Sequence, residues 1–417
     1  MTRYGKEFRV NWRALAGATL GLGSGLSING YAHSIMAPYL LAEFGWTKAQ
    51  LALIGSIYIL GMISIPLAGR VADVIGARKA ILFGLIFYPL SWVGMSMLTG
   101  DIRLYYAINI LQLLLCATTT TTVYCRVVAE RFTAARGIAL GIMACGPAIA
   151  GAVGAPIFAQ YVAAHGWRTG AVAFGIFCAL AGIVALLLIP PFRAAPAGTT
   201  PRRNAAKDYP AILRNPVFWI IFSSAFLCCI PYALAQSQLN VMLLDKKLSP
   251  TAAGLIISTF AIGMMIGRFG LGAALDRFPT HWVAFTGMAI SGIGLFILAS
   301  PVTHVAVLIL AVGMFGISFG AESDIMAYAV VRYFGMDNYS TVLGLLIAAS
   351  GGAMTVGAIL LSIILERTDS YSPFMVMAGV AVLVGAANLL RLRTVPVLEE
   401  KPDPAPALPG KPQPASI

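Results

Sequence analysis

Long apolar stretches follow one another along almost the whole chain and are separated by short polar connections. Twelve of them are about 20 residues or longer, the length that an α-helix needs to cross the hydrocarbon core of a bilayer. Only 11% of the 417 residues are charged, against about a quarter in globular domains, so most of the surface must face lipid. The sequence therefore predicts an all-α membrane protein with twelve transmembrane helices. The predicted spans are residues 13–41, 47–69, 79–99, 103–128, 137–163, 169–191, 216–244, 250–272, 281–299, 303–331, 339–365 and 370–391.

The lysines and arginines are distributed unevenly over the predicted connections. Six of the 28 fall on one side of the membrane, and the other 22 lie on the side of both termini or at helix ends that face it. This is the positive-inside bias, so both termini are predicted to be cytoplasmic. We expect the protein to lie in the inner (plasma) membrane. The net charge of +12 follows from this topology, and we expect no nucleic-acid partner. The six residues on the other side are Lys48, Arg103, Arg168, Lys246, Lys247 and Arg367.

The cysteines and the absence of nucleotide-binding motifs limit the chemistry further. All six cysteines fall inside apolar segments, where a thiol behaves as a small hydrophobic group. The chain has no CxxC pair and no Cys/His cluster, so neither a disulfide nor a metal site is predicted. It also has no Walker loop and no room for a soluble catalytic domain, so we expect neither an enzyme nor a bound cofactor.

Glycine and acidic residues recur at a constant distance along the chain. Three pairs are each 203 positions apart, which predicts that the second six spans repeat the first six. Parallel repeats of this kind place the substrate site near the middle of the membrane, between the two halves. The pairs are Asp73 and Asp276, Gly141 and Gly344, and Gly154 and Gly357.

The repeat and the changes in composition divide the chain into four segments. We predict a six-helix bundle at 1–192, a polar cytoplasmic linker at 193–215 and a second six-helix bundle at 216–393. The tail at 394–417 is rich in proline and lacks apolar periodicity. It is therefore predicted to be disordered and cytoplasmic.

The connection between the second and third spans reads GRVADVIGARKA and contains Gly69, Arg70, Asp73 and Arg78. It resembles the loop motif of the major facilitator superfamily, and the corresponding segment of the second half retains Asp276. Glycine permits close helix packing, and an aspartate at a helix end can pair with a nearby arginine or with a helix N-terminus. The resemblance implies a cytoplasmic gate here and the twelve-helix major facilitator fold for the whole chain. The alternative is a charge cluster that only sets the orientation in the membrane.

Two further motifs narrow the resemblance within that superfamily. The segment that follows Phe132 contains Arg136 and Gly141 and is similar to a pattern of the monocarboxylate porters, so Arg136 joins the predicted gate. The stretch from Arg268 to Asp276 resembles both monocarboxylate porters and oxalate/formate exchangers. In those families the arginine binds the substrate carboxylate, which a planar guanidinium can meet through two hydrogen bonds. The resemblance implies this role for Arg268; alternatively, its side chain reaches the cytoplasm and belongs to the gate.

The chain also departs from these families. Monocarboxylate porters commonly carry an aspartate for the coupled proton one turn before the arginine, where this chain has Met264. They carry a lysine near the position of Ile35, and the exchangers carry one in span eleven, where this chain has none. The missing second cation favours a substrate with a single anionic group.

Two acidic residues lie in the middle part of span ten, where an ionisable side chain is costly unless it faces a cavity or a partner. Glu322 and Asp324 are two positions apart, so on a helix they point about 200° apart and cannot line the cavity equally. We expect Glu322 or Asp324 to carry the proton in place of an acid at Met264. The sequence supports equally well a structural ion pair with Arg126 or Arg268.

Polar side chains in spans one, four, seven and ten are candidates for the cavity wall, because these spans form the central layer in similar proteins. Each side chain could instead form a hydrogen bond between helices, worth under about 1 kcal/mol. A lone histidine such as His33 is more often a hydrogen-bonded packing residue. The substrate-binding candidates besides Arg268 are Asn29, Tyr31, His33, Gln236, Asn240 and Tyr328, with Gln112, Tyr124 and Tyr232 as further lining candidates.

Together these features predict a secondary active transporter that works as a monomer in the lipid bilayer. The expected activity is proton symport of a small organic anion, a monocarboxylate, by alternating access of the two halves. An anion exchanger or an efflux antiporter of another small solute would use the same fold. A transporter-like sensor that binds its ligand without moving it is a remoter alternative.

Overall fold

The computed structural model is helical throughout the part of the chain that it describes, where every regular element is a helix. Most of the predicted linker and nearly all of the predicted tail lie outside the described residues. The described residues are 3–132, 135–190, 210, 212–275, 277–335 and 339–395.

The first six spans include both single helices and spans assembled from shorter pieces. Spans three and six are single helices, whereas spans one, two, four and five change helix type or break along their length. The helices are Arg3–Leu22, Leu26–Ile28 and Asn29–Phe44 in span one; Lys48–Ala52, Leu53–Leu60 and Gly61–Ile75 in span two; Ala77–Ser96 in span three; Ile102–Leu115, Ala117–Thr119 and Thr121–Ala129 in span four; Arg136–Ala144 and Gly146–His165 in span five; and Trp167–Leu188 in span six.

The second six spans are more regular. Spans nine, ten and eleven are single helices, and span seven is the most interrupted. The helices are Pro216–Cys229, Tyr232–Ser237 and Leu239–Asp245 in span seven; Pro250–Ile266, Gly267–Leu271 and Gly272–Leu275 in span eight; Thr280–Ala299 in span nine; Val305–Phe334 in span ten; Tyr339–Thr368 in span eleven; and Ser372–Leu389 and Leu390–Thr394 in span twelve.

Ordinary local signals begin and end these helices. The hydroxyl of Thr47 accepts a hydrogen bond from the backbone of Gln50 at the start of span two, and Ser249 starts span eight in the same way. Such caps satisfy backbone N–H groups that have no partner inside the helix. Span two ends and span three begins at Gly76, whose φ of 90° is one that residues with a Cβ rarely adopt.

Ten helices in the described part of the chain are long and apolar enough to cross a membrane. Spans one and four are present as well, but each is interrupted near its middle. The predicted all-α membrane fold is therefore confirmed, and the chain is a multi-pass membrane protein. Span one differs from the prediction, because it begins at Arg3 and is not continuous from 13 to 41.

The breaks of spans one and four touch each other. The backbone N–H of Leu26 donates to Thr119 Oγ1 at 3.0 Å, and a Cβ on Gly25 would lie 2.7 Å from the carbonyl oxygen of Thr119. Lipid offers no hydrogen bonds to an unpaired backbone group, so a helix can break inside a membrane only where protein or water satisfies it. Glycine and a threonine hydroxyl together make this crossing possible.

The same break recurs in the second half. Span one resumes its helix at Asn29 and span seven resumes at Tyr232, and these residues are 203 positions apart, as in the sequence repeat. The interruptions thus belong to the repeated unit and not to one span alone.

The two halves meet at one face of the molecule. An even number of spans places both ends of the chain at the same face, here called the terminal face; the other is the far face. At the far face Lys48 Nζ lies 2.7 Å from Asp245 Oδ2, and Gln238 Nε2 donates to the backbone carbonyl of Lys48. These contacts join span two to span seven and close the far side of the molecule.

Candidate functional site

Spans eight and ten approach so closely that backbone meets backbone, and this contact positions the site. A Cβ on Gly267 would lie 2.0 Å from the carbonyl oxygen of Ile317, and one on Gly320 would lie 2.1 Å from that of Met264. Glycines four residues apart on both helices create this approach, as is typical of helix packing in membranes. The four glycines are Gly263, Gly267, Gly316 and Gly320.

Arg268 follows directly after this contact and lies in a π-helical turn, Gly267–Leu271. Such wide turns occur frequently at functional sites. Arg268 Nε lies 3.6 Å from Asp324 Oδ2, and the two side chains are 21% and 38% exposed. Arg268 Nη2 also donates to Ser323 Oγ at 3.3 Å. The sequence prediction had left open whether an acid of span ten would pair with Arg126 or Arg268, and Asp324 pairs with Arg268.

Arg268 faces the space between the two halves. Its guanidinium lies near Cys125 of span four and Cys145 of span five, both in the first half. On the same side a Cβ added to Gly141 would come within 4.0 Å of Phe269. We infer a cavity between the halves on the terminal side, with the guanidinium of Arg268 in its wall.

Glu322 faces away from this ion pair. Ser350 Oγ of span eleven donates to Glu322 Oε1 at 3.0 Å, and the carboxylate also interacts with Cys229 of span seven. The two acids of span ten therefore point to different neighbours, as the helical spacing predicted. Arg126 pairs with Glu130 of its own span, Nε to Oε1 2.8 Å, and not with an acid of span ten.

In the first half a network of neutral hydrogen bonds fixes the orientation of Asn29. Its Nδ2 donates to Gln112 Oε1 at 3.2 Å, and Tyr88 OH donates to its Oδ1, also at 3.2 Å. Gln112 Nε2 in turn donates to Ser91 Oγ at 3.0 Å. Sequence reasoning selected Asn29 and Gln112 but missed Tyr88 and Ser91, because span three showed no polar pattern that sets these two residues apart.

His33 borders a small cavity between the halves. Its Nδ1 lies 3.0 Å from Tyr105 OH, whereas Nε2 is buried and has no hydrogen-bond partner among the described residues. The cavity has a volume of about 40 Å³, and Gln236 of span seven lies on its other side. That is room for a few waters and not for a substrate. His33 and Gln236 are 203 positions apart and thus correspond in the repeat.

Tyr31 packs between helices instead of projecting freely into the cavity. Its hydroxyl lies 3.4 Å from Met264 Sδ, one turn before Arg268. A Cβ on Gly151 of span five would come within 2.5 Å of its ring. Tyr31 therefore connects spans one, five and eight close to the ion pair.

Two other predicted substrate-binding residues are occupied with structural contacts. Asn240 is buried at the joint between the halves, where its Nδ2 donates to the carbonyl of Ile35 at 3.2 Å and its backbone N–H donates to Ser34 Oγ. Tyr328 OH accepts a hydrogen bond from Arg332 Nη1 at 3.1 Å. The structure does not bring Asn240 together with Arg268.

The predicted gate is described only in part. Gly69 lies against span four, where its Cβ would be 3.0 Å from Thr122 Cγ2, and Arg70 is exposed at the terminal face. Arg78 is half-buried in the first turn of span three. The side chains of Asp73 and Arg136 and the whole of Asp276 lie outside the described residues.

Comparisons with known proteins agree with this architecture. The sequence model of the Major Facilitator Superfamily matches residues 15–243 and 224–416. No curated protein matches the chain in sequence.

Two solved transporter structures share the fold. One is a bacterial homologue of the human lysosomal transporter Spinster in an inward-facing and unoccupied conformation, with 17% identity, a TM-score of 0.68, and coverage of 91% of this chain and 96% of that one. The other is a mutant of the peptide transporter POT, with 14% identity, a TM-score of 0.71, and coverage of 92% of this chain and 94% of that one. At these identities the likeness extends to the fold alone.

Proposed function

The chain belongs to the Major Facilitator Superfamily, and we propose that it is a secondary transporter that moves a small organic anion, a monocarboxylate, together with a proton. The observation that carries this proposal is the partly exposed pair of Arg268 and Asp324, which joins spans eight and ten inside the membrane-spanning part of the chain. A cation and an acid in the wall of an intramembrane cavity are costly unless they have a use there.

The geometry of the pair supports a mechanism in which substrate and acid compete for one cation. The 3.6 Å between Arg268 Nε and Asp324 Oδ2 is longer than the roughly 2.7–2.9 Å of a strong charge-assisted hydrogen bond. A substrate carboxylate that binds the guanidinium bidentately would displace Asp324. The released carboxylate then lacks its cation in a poorly hydrated site, so it takes up a proton from the water of the cavity. Substrate and proton would therefore enter the protein together.

Arg268 has a weaker contact with an acid than Arg126 has, which favours a substrate with one anionic group. Arg126 pairs with Glu130 at 2.8 Å, and Arg332 bonds to Tyr328, whereas the contacts of Arg268 with described residues are the longer one with Asp324 and the hydroxyl of Ser323. Glu322 remains the second candidate for the proton, because its half-buried carboxylate is bonded to a neutral hydroxyl.

The contacts between the halves support a direction for the open side. The far face is closed by Lys48, Asp245 and Gln238, whereas Arg268 faces a cavity on the terminal side. We propose cytoplasmic termini from the charge bias and a location in the inner membrane, so this would be an inward-open state of a monomeric transporter. The outward-open state would then require these far-face contacts to break.

Proteoliposome uptake of labelled mono- and dicarboxylates under an imposed inward proton gradient tests the proposal. Arg268→Gln should abolish accumulation, whereas Arg277→Gln, which removes an exposed cation at the end of the same span, should leave it unchanged. If both variants behave like the wild type, Arg268 does not bind substrate. Uptake that needs a counter-substrate and ignores the gradient would replace symport by exchange, and binding without flux would indicate a sensor.

A further inference from the structure

A large apolar cavity lies within the first half and not between the two halves. It lies between spans one, five and six and has a volume of about 940 Å³. None of the described side chains that line it is charged. Its floor is closed toward the centre of the protein, because the ring of Tyr31 lies directly on Gly151.

The course of spans five and six explains the groove. They are joined at the far face by a turn at Gly166, whose φ is 81°, and residues of span one line the cavity between them. The lining extends along span five from Ile142 to Tyr161. The 19 helical steps between these two residues correspond to about 28 Å, close to the roughly 30 Å hydrocarbon thickness of a bilayer.

The rim and the ends of the groove fit a position within the bilayer. Val153 and Ile157 on its rim are 61% and 64% exposed, as suits side chains that touch acyl chains. Trp12 lies at its terminal end and Tyr161 at its far end, and such aromatic residues are typical of the two membrane interfaces. An apolar space at this depth does not hold water, so hydrocarbon must fill it.

Positive charge at the terminal end of the groove favours an anionic lipid. Lys6, Arg9 and Arg13 are exposed on the first turns of span one, and helical spacing places Arg9 about 60° and Arg13 about 100° from Trp12 around the axis. The acid of this segment, Glu7, turns inward, where its Oε2 accepts from the backbone N–H of Ala135 at 3.0 Å. The terminal end of the groove is therefore flanked by cations.

We propose that this groove is a binding site for an anionic phospholipid of the surrounding bilayer. One acyl chain lies along span one between spans five and six, and the phosphate lies against Arg9 and Arg13. The site requires no assumption about the transported substrate, because Arg268 and Asp324 line a separate space.

Gly154 provides a variant that fills the groove without disturbing the core. It lines the cavity, and a Cβ there meets no atom within 4 Å. Gly94 on span three is the matched control, because its nearest atom, Ile108 Cδ1, lies 3.9 Å away and outside the groove. Gly154→Phe should therefore block the acyl chain, whereas Gly94→Phe should not.

Native mass spectrometry of the full chain in detergent, titrated with phosphatidylglycerol or phosphatidylcholine of identical acyl chains, measures the site. We expect the first phosphatidylglycerol to bind with higher affinity than phosphatidylcholine. Gly154→Phe should weaken it by about tenfold, equivalent to losing contact with roughly two methylenes, and Gly94→Phe should not. Arg9→Gln with Arg13→Gln should lower phosphatidylglycerol affinity by roughly fivefold per arginine, whereas Lys79→Gln with Arg277→Gln should leave it unchanged.

Three outcomes overturn the proposal. Equal affinity for the two lipids in the wild type would show that the cations select nothing. Unchanged binding in Gly154→Phe would place the lipid elsewhere. Dimers that dissociate in Gly154→Phe would make a second copy of the chain the occupant.

Discussion

Spans four and ten correspond in the repeat, yet their backbones differ at the same position. Span four breaks between Leu115 and Thr121, whereas Val305–Phe334 in span ten is one continuous helix. The offset of 203 places Thr119 opposite Glu322 and Thr121 opposite Asp324.

The two halves also differ in the kind of hydrogen bonds and ion pairs that they form. In the first half the hydroxyl of Thr119 and the amides of Asn29 and Gln112 bond to neutral partners. In the second half Asp324 bonds to a cation and Glu322 to a hydroxyl. Neutral hydrogen bonds do not change with pH or with an arriving anion, whereas a carboxylate and an ion pair do. We therefore propose that the first half holds the site in a fixed geometry. The second half would contain the groups that respond to pH and to an arriving anion.

The largest effect should come from the glycine contact that places Arg268. Gly267→Ala introduces a Cβ 2.0 Å from a backbone oxygen of span ten, so the two helices must separate. We expect a loss of about 3 kcal/mol of stability, measured by thermal unfolding in detergent. Gly272→Ala, which meets nothing within 4 Å, should cost nothing.

The corresponding residue of the first half sharpens this test. Ser64 is buried, and its hydroxyl has no hydrogen-bond partner among the described residues. Ser64→Ala should therefore stay within about 0.5 kcal/mol of the wild type. A loss as large as that of Gly267→Ala would mean that both halves depend equally on close packing here.

The second effect concerns proton coupling. Asp324→Asn keeps a polar side chain beside Arg268 but removes the carboxylate that we propose as the carrier of the proton. Gradient-driven accumulation should fall on the order of tenfold, while exchange of labelled for unlabelled substrate continues. Thr121→Val, at the corresponding site of span four, should change neither. If Glu322→Gln and not Asp324→Asn uncouples transport, the proton is carried by Glu322, to which Ser350 donates.

A smaller effect is expected in the neutral network. Asn29→Ala leaves Gln112 Oε1 and Tyr88 OH without the partner that each has in the wild type. This should cost about 1–3 kcal/mol, and the loss should be the same at acidic and neutral pH because no member titrates there. A loss of stability that depends strongly on pH would contradict the proposal that neutral hydrogen bonds hold the first half in a fixed geometry.

The smallest effect should come from the contact between the helix breaks of spans one and four. Thr119→Val removes the acceptor for the backbone N–H of Leu26 and should cost about 1 kcal/mol in thermal unfolding. Thr121 is exposed, so Thr121→Val serves as the control. Equal stability of the two variants would mean that water already satisfies the break.

The sequence predicted many of the residues of the site, but it did not predict which of them contact one another. An arginine and two acids in apolar spans stood out because charge is costly there, and the helical spacing correctly separated Glu322 from Asp324. The choice of Arg268 over Arg126 depended on which helices touch. The paired glycines of spans eight and ten carried a signal in their four-residue spacing that sequence reasoning did not use.

Hydropathy and helical length determined by themselves that the chain is an all-α membrane protein with twelve spans, because a span must bury its own backbone hydrogen bonds whatever its neighbours are. The constant 203-residue offset likewise determined which residues correspond. Only the tertiary structure decided where spans one and four break, that Asn240 belongs to the joint between the halves, and that Asp324 and not Glu322 faces Arg268. Each of these depends on the partner that another helix supplies, and the linear order of residues does not contain that information.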